Sequence, residues 1–173
     1  MATGRNRERS GRLGRLSRSF LLGLLCLGVA SASPEARGEE ARALFDGPEP
    51  LTIETGGAEH RFLVEIARTP EALEQGLMLR FELPSDRGML FDLGTERPTA
   101  MWMKNTLITL DMIFIGSDGT IRKIHSRAEP FSLESVPSGG PVRAVLELPG
   151  GTVERLGIEE GDRVRHALFD GLP

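Results

Sequence analysis

The chain has 173 residues, 21 of them basic and 25 acidic, and a single cysteine, Cys26. The N-terminal 32 residues contain that cysteine, six of the arginines and Glu8, so residues 33–173 keep 15 basic and 24 acidic side chains and no cysteine. This composition opposes nucleic-acid binding, which needs clustered Lys and Arg, and it excludes disulfides and thiolate chemistry from residues 33–173.

The first 32 residues predict an export signal. Six arginines precede an apolar run of eleven residues, 20–30, and Ala30-Ser31-Ala32 then supplies an A-x-A cleavage motif. Eleven apolar residues fall short of the roughly 20 that span a bilayer, so cleavage is favoured over anchoring. We therefore expect export to the periplasm or cell envelope, with membrane contact only through the signal segment if it stays uncleaved.

Residues 33–50 are charged and rich in Pro and Gly, which predicts a flexible leader before a single β-rich domain at 51–173. LTIET, Gly56-Gly57 and the alternating residues that follow predict a β-hairpin. A hydroxyl at Thr69 and a proline at position 70 then predict a short helix that Gly76 closes.

The second half of the domain alternates short apolar runs with turns. GMLFDLG, TAMWMKNT, LDMIFI, TIRKIHS and VRAVLEL predict strands, and residues 129–141 predict a long irregular loop. TVERLG predicts a second short helix capped by Gly157, and a closing strand is expected to run to Phe169. About eight strands and two short helices indicate one mainly-β domain, either barrel-like or a sandwich.

The most apolar run of the domain, MWMKNTLITLDMIFI at 101–115, contains Lys104, Asn105 and Asp111. An unpaired buried charge costs several kcal/mol, so these side chains must find partners, reach solvent or form a site.

A hairpin in this segment would bring two of the charges together. If Thr106 lay opposite Thr109, then Lys104 would face Asp111 beside the indole of Trp102. The two residues between the threonines lack the Gly or Asn that a two-residue turn requires, so this register is a hypothesis.

Four stretches of the chain resemble the bacterial and archaeal family called domain of unknown function 192. They are QGLMLR (75–80), GMLF (88–91), MWMKNTLITLDMIFI (101–115) and VLELPGGTVERLGIEEGDRV (145–164). The resemblance covers residues 53–164 and implies a compact β-rich domain, often exported, without an established activity. The polar positions that it marks are Arg80, Lys104, Asn105, Thr106, Asp111 and Glu147. Thr109 stands where the family usually has proline, and Met101 where it usually has Phe.

Two interpretations of these polar residues stay open. In the first, Lys104 and Asp111 form a partly buried ion pair, and Asn105 caps backbone groups at a bend. In the second, Arg80 and Lys104 bind a small polar or anionic ligand that Asp111 and Asn105 orient.

The second interpretation predicts a ligand-binding or interaction module of the cell envelope. Its partner would be such a ligand or an envelope protein, and no cofactor is expected. The candidate ligand-binding residues are Arg80, Trp102, Lys104, Asn105, Thr106, Asp111 and Glu147.

Two other activities are alternatives. A hydrolase could use Asp111 and Glu147 as an acid–base pair, if the carboxyl groups lie about 5–10 Å apart across a cleft. Met101 and Met103 could bind Cu(I) through their thioethers, although core packing explains methionines on apolar strands better. The three histidines are far apart in sequence, so no other metal site is expected.

Overall fold

The computed structural model describes residues 44–170, so the predicted signal (1–32) and most of the predicted leader lie outside the described residues. The described part contains seven strands and two short helices. The strands are β1 (Asp46–Thr55), β2 (Ala58–Ala67), β3 (Arg87–Met101), β4 (Leu110–Ile115), β5 (Ile121–Ala128), β6 (Val136–Pro149) and β7 (Arg163–Arg165). The helices are α1 (Pro70–Gln75) and α2 (Thr152–Leu156). The prediction of one mainly-β domain with two short helices is confirmed.

Two long strands account for the difference from the predicted elements. GMLFDLG and the start of TAMWMKNT both lie in β3, which is 15 residues long, so seven strands form where about eight were expected. The predicted loop at 129–141 is wrong for residues 136–141, because they begin β6 and pair with the end of β3. The closing strand ends at Arg165, well before Phe169.

All seven strands form one sheet in the order β5-β4-β6-β3-β2-β1-β7. β2 and β3 run parallel, with α1 in the connection between them, and the other neighbours are antiparallel. The sheet curls until its two edge strands meet at one end. There Thr120 bridges Arg163, and the N–H of Ile121 donates to the carbonyl of Asp162 at 2.9 Å. The architecture is therefore a half-barrel, and the sandwich alternative is wrong.

Both faces of the central strand β6 are buried, because successive residues of a strand point to opposite faces. Leu146 and Leu148 pack into an apolar cluster that draws residues from β1, β2, β4 and β7 and so fills the concave side. Val145 packs into a second cluster that contains Met89, Met112 and residues of α1. Glu147 shares the face of this second cluster, since it lies opposite Met112 and Met89 in the sheet.

The predicted boundary between leader and domain at residue 50 is wrong. β1 begins at Asp46, which lies opposite Ile66, and Pro50 lies opposite Leu63. Phe45 is also buried, with 8% of its surface exposed. Pairing with β2 and the burial of Phe45 therefore override the turn-like composition of FDGPEP.

Both helices begin and end where the sequence predicts. The hydroxyl of Thr69 accepts the N–H of Ala72 at 3.1 Å, and Pro70 occupies the first position of α1. α1 ends at Gly76 (φ +45°) and α2 at Gly157 (φ +66°). Among residues 44–170, no helix is long and apolar enough to cross a membrane.

Candidate functional site

Strands β3 and β4 are not neighbours in the sheet, because β6 lies between them. Residues 102–109 form the loop that connects the two strands. Lys104 is exposed in this loop, whereas Asp111 is fully buried in β4. The predicted hairpin register and its ion pair are therefore wrong. The physical reason is that residues 107–108 lack the turn chemistry that a two-residue hairpin needs.

The side chain of Asp111 accepts hydrogen bonds from three backbone N–H groups outside its own strand. Its Oδ1 accepts the N–H groups of Arg127 at 2.8 Å and Gly151 at 2.9 Å, and its Oδ2 accepts that of Val153 at 2.8 Å. These charge-assisted bonds tie the end of β5 and the start of α2 to β4. Because the fully buried carboxylate is committed to three donors, the geometry assigns Asp111 to the fold and not to a ligand.

Asn105 and Thr106 shape the loop between β3 and β4. Asn105 lies at a bend with a φ of +56°, and its carbonyl accepts the N–H of Leu79 at 2.9 Å. Its side-chain nitrogen lies 4.0 Å from the sulfur of Met78, so it contacts a thioether and not the backbone groups it was expected to cap. The carbonyl of the buried Thr106 accepts the N–H of Phe131 at 3.1 Å.

Arg80 lies in a separate surface depression and is already paired. Its guanidinium donates to both carboxylate oxygens of Glu65, at 2.8 and 2.5 Å, and lies 5.4 Å from the ring centroid of Phe45. The depression that it lines contains neither Lys104 nor Glu147. The predicted convergence of Arg80 and Lys104 on one ligand is therefore wrong.

Glu147 is the second buried carboxyl of the domain, and its surroundings differ from those of Asp111. It lies between Met89 of β3 and Met112 of β4, both fully buried, and only 4% of its own surface is exposed. Within residues 44–170, no group donates a hydrogen bond to its carboxyl or forms an ion pair with it. Burial raises the pKa of Glu147 from the usual 4.5 to about 8, so the group is largely protonated at neutral pH.

The carboxyl of Glu147 lies at the floor of a small cleft beside the end of α1. The cleft has a volume of about 30 Å³, which is room for about two water molecules. Glu74, which is exposed, stands at its rim. The residues around the floor are 73–78, Phe91, Met101, Trp102 and Thr106. The result is a narrow, mostly uncharged opening that leads to one buried acid.

Gly76 makes the cleft sterically feasible, and Gly88 serves the packing of the sheet behind it. A Cβ at Gly76, where φ is +45°, would lie 3.0 Å from the ring of Phe91, so glycine lets the end of α1 pack on that ring. A Cβ at Gly88 would lie 2.8 Å from the carbonyl oxygen of Glu147, so glycine also lets β3 approach β6 closely. The glycines of QGLMLR and GMLF therefore have a packing reason.

Trp102, with 47% of its surface exposed, forms one wall of the cleft. The ammonium of Lys104 lies 5.0 Å from its ring centroid, a cation–π contact at the outer edge of the site. Of the seven predicted site residues, three therefore line the cleft, two lie beside it and two lie elsewhere in the domain. Those within it are Trp102, Thr106 and Glu147, those beside it are Lys104 and Asn105, and those elsewhere are Arg80 and Asp111.

Gln75, Met78 and Phe91 also line the cleft, although they were not among the predicted site residues. Gln75 and Met78 belong to the QGLMLR motif, from which the resemblance marked only Arg80. Phe91 has the pattern of an ordinary buried strand residue. The available signal was the QGLM stretch itself, since a glycine at a helix end followed by two large apolar residues indicates a turn that packs on the domain.

The hydrolase alternative fails on the geometry of the sheet. Residues directly opposite one another in neighbouring strands point to the same face. Asp111 lies opposite Leu148, and Glu147 lies opposite Met112. The two carboxyl groups therefore project from opposite faces and cannot act together across a cleft.

The pair Met101 and Met103 does not face a common hollow. Met103 is 1% exposed within the second apolar cluster, whereas Met101 lines the Glu147 cleft. The Cu(I) site proposed for this pair is therefore not supported. No group of three or more His, Cys, Asp or Glu side chains in the described stretch could hold a metal ion.

Larger depressions lie elsewhere on the described surface. In the largest, about 640 Å³, the hydroxyl of Ser138 donates to the carbonyl of Gly140 at 2.7 Å and accepts the N–H of Thr99 at 3.0 Å. Arg122, which also lines it, pairs with Asp118 at 3.0 Å. These polar groups are satisfied within the protein, so the small Glu147 cleft is the stronger candidate site.

The fold and the cleft together define a small half-barrel domain with a buried carboxyl beside a short helix. The chain belongs to the domain of unknown function 192 family, described as "Uncharacterized ACR", whose sequence profile matches residues 51–166. The family assignment made from the motifs is thus confirmed.

Two crystal structures are similar to this chain. One is a candidate transcription regulator from Sinorhizobium meliloti 1021, with 50% identity over 72% of this chain and 96% of its own, and a TM-score of 0.70. The other is a protein of unknown function from Novosphingobium aromaticivorans DSM 12444, with 40% identity over 68% of this chain and 84% of its own, and a TM-score of 0.66. No curated protein matches the chain significantly.

Proposed function

We propose that the protein binds a small polar ligand in the Glu147 cleft. The observation that carries this proposal is a buried carboxyl without a bonding partner among residues 44–170, at the floor of an opening to solvent. Among the described residues, the fully enclosed side-chain atoms without a partner belong to His60 and His166, so the Glu147 oxygens are open to the cleft, where a ligand can reach them. Asp111 shows how the same chain treats a carboxyl that serves the fold, since it receives three N–H donors. A ligand would supply what Glu147 lacks.

We propose that the protein binds this ligand in the cell envelope, after the protein has been exported. The arginine-rich N-terminus, the eleven-residue apolar run and the A-x-A motif support export. These residues lie outside the described part of the chain, so the support comes from the sequence alone.

Transcription regulation, the description given to the Sinorhizobium relative, is a weaker candidate for this chain. Direct contact with DNA phosphates requires clustered Lys and Arg. Residues 33–173 carry 15 basic against 24 acidic side chains, a formal charge of −9. The acidic balance therefore supports a small ligand over a nucleic acid.

The proposal is tested by NMR titration of the ¹⁵N-labelled protein with three small probes: isopropanol, acetamide and methylamine. We expect at least one probe to shift the indole N–H of Trp102 together with the amide of Thr106. Trp102 is the only tryptophan of the chain, so its indole resonance needs no further assignment. Shifts confined to residues of the larger depressions would contradict the proposal.

A pair of variants separates binding in the cleft from general surface effects. Glu147→Met places a side chain of similar length and no charge at the floor, and it should remove the shifts of Trp102 and Thr106. Glu129→Met changes an exposed carboxyl outside the cleft and should leave them unchanged.

A further inference from the structure

Both ionisable groups that line the Glu147 cleft are carboxyl groups. Glu147 lies at the floor and Glu74 at the rim, and no basic side chain of residues 44–170 lines it. Lys104 lies outside, over the ring of Trp102. An anion that entered the cleft would find no positive charge among the lining residues, whereas a cation could pair with the carboxylate that Glu147 forms on releasing its proton. The charge distribution therefore favours a cationic ligand over the anionic one expected from the sequence.

The size of the cleft limits what can enter it. A volume of about 30 Å³ admits a group that is no larger than one or two water molecules. A primary ammonium group has about the size of a water molecule, and it carries three N–H donors that suit a carboxylate. The rest of such a ligand would have to lie outside, against the rim.

Exposed apolar side chains lie on or next to the lining residues, since Leu79 follows Met78 and the backbone of Phe131 is bonded to Thr106. Trp102, Leu79 and Phe131 are 47%, 64% and 59% exposed. The N–H groups of Leu79 and Phe131 donate to the carbonyls of Asn105 and Thr106, which joins the loops that follow α1, β3 and β5 beside the cleft. Leu79, Asn105 and Phe131 have φ values of +62°, +56° and +62°, a region that residues other than glycine rarely adopt. Such conformations cluster at ligand sites, where the surrounding structure holds them.

We infer that the ligand of the Glu147 cleft is an alkyl or aryl primary amine, bound as its ammonium ion with the nitrogen at Glu147 and the apolar part against Trp102. This inference rests on the function proposed above. On binding, the O–H bond of the Glu147 carboxyl breaks and its proton passes to solvent. The ligand keeps its own proton, so the product is an ammonium–carboxylate pair, and no other covalent bond changes.

The proton balance gives the pH dependence. The free protein holds the proton of Glu147 up to a pH of about 8. Binding of an ammonium ion must release that proton, so the affinity should rise by about tenfold for each pH unit below 8 and level off above it. A neutral hydrogen-bond acceptor would show the opposite trend, because it needs the protonated carboxyl.

The test compares n-hexylamine with 1-hexanol and hexanoate, which share the alkyl chain and differ in the head group. Isothermal titration at pH 7 in two buffers of different ionisation enthalpy measures proton release, and Trp102 fluorescence follows occupancy of the cleft. We expect n-hexylamine to bind at least about tenfold more tightly than 1-hexanol and to release close to one proton.

Three variants sharpen the test. Glu147→Gln keeps the shape of the side chain, and it should abolish proton release and the preference for the amine. Lys104→Gln removes a neighbouring positive charge from the ring of Trp102, so it should strengthen n-hexylamine binding by about two- to fivefold. Glu129→Gln, a change at an exposed carboxyl, should alter neither measurement.

The outcomes separate the two proposals. If 1-hexanol binds as tightly as n-hexylamine, or if no proton is released, the amine inference is overturned while ligand binding in the cleft stands. Tighter binding of hexanoate that weakens in Lys104→Gln also overturns it, in favour of an anionic ligand. If none of the three probes changes Trp102 fluorescence, both the inference and the proposed function are contradicted.

Discussion

Replacing Glu147 by glutamine should change how the stability of the protein depends on pH. The native state holds the carboxyl proton with a pKa of about 8, whereas the unfolded chain holds it with the usual pKa of 4.5. Between these values the unfolded state releases its proton and the native state does not. The contribution of Glu147 is therefore most favourable below pH 4.5, falls as the pH rises, and is constant above about pH 8.

The magnitude follows from the difference between the two pKa values. A rise of about 3.5, at 1.36 kcal/mol for each pH unit, corresponds to about 5 kcal/mol of stability lost between pH 4.5 and pH 8. Glutamine has a similar shape and cannot ionise, so Glu147→Gln should not show this loss. Relative to the wild type, the variant should therefore gain about 5 kcal/mol across this interval.

The assay is urea denaturation of both proteins at closely spaced pH values, followed by circular dichroism. Subtracting one curve from the other removes the contributions of all other titrating groups. Glu129→Gln serves as the control, because that carboxyl is exposed. If the difference between wild type and Glu147→Gln changes by less than about 1 kcal/mol from pH 4.5 to pH 8.5, the reasoning about Glu147 is refuted.

Three further changes test the fold, the cleft and the export signal. Asp111→Asn turns one accepting oxygen into a donor that faces the N–H of Val153, and it should lower the free energy of unfolding by about 3 kcal/mol in urea; a loss under about 1 kcal/mol would be too small for three buried bonds. Gly76→Ala should cost about 1–3 kcal/mol more than Gly157→Ala, because its added methyl group meets Phe91 and its backbone (φ +45°, ψ −137°) is less accessible to alanine than the left-handed conformation of Gly157, where the Cβ meets no atom within 4 Å; equal losses would contradict the close packing of α1 on Phe91. Mass spectrometry of the exported protein should find Ser33 at the N-terminus, and an intact N-terminus would argue for an uncleaved anchor.

Features that depend on adjacent residues could be predicted from the sequence. The cap at Thr69 and the glycine at position 76 set the two ends of α1, and Gly56-Gly57 set the first hairpin. In each case the signal and the structure lie within a few residues of one another. The N-terminal boundary was misplaced because pairing with β2 draws Asp46 into the sheet despite its turn-like neighbours.

The position of β6 could not be predicted in the same way. β6 enters between β3 and β4, so residues far apart in the chain, such as Met89 and Glu147, become neighbours. A hairpin between two consecutive strands was the local expectation, and it placed Lys104 against Asp111. Because β6 pairs with both β3 and β4, no such hairpin forms. Lys104 is exposed to solvent, whereas Asp111 is buried.

The candidate site was only partly readable from the sequence. Glu147 was marked by resemblance, yet a glutamate within the continuous apolar run of VLEL also indicates a carboxyl in a strand buried on both faces. The covering residues, such as Met78, could not be assigned, because they reach the cleft through the packing of α1 on Phe91.

The most direct test is a ¹³C NMR titration of the side-chain carboxyl carbon of Glu147, since the proposed site depends on this group lying buried and neutral beneath an opening. The midpoint should lie near pH 8, with the indole N–H of Trp102 shifting at the same midpoint. A midpoint near 4.5 would show that the carboxyl is solvated or paired in the native protein, and it would contradict the account of the cleft.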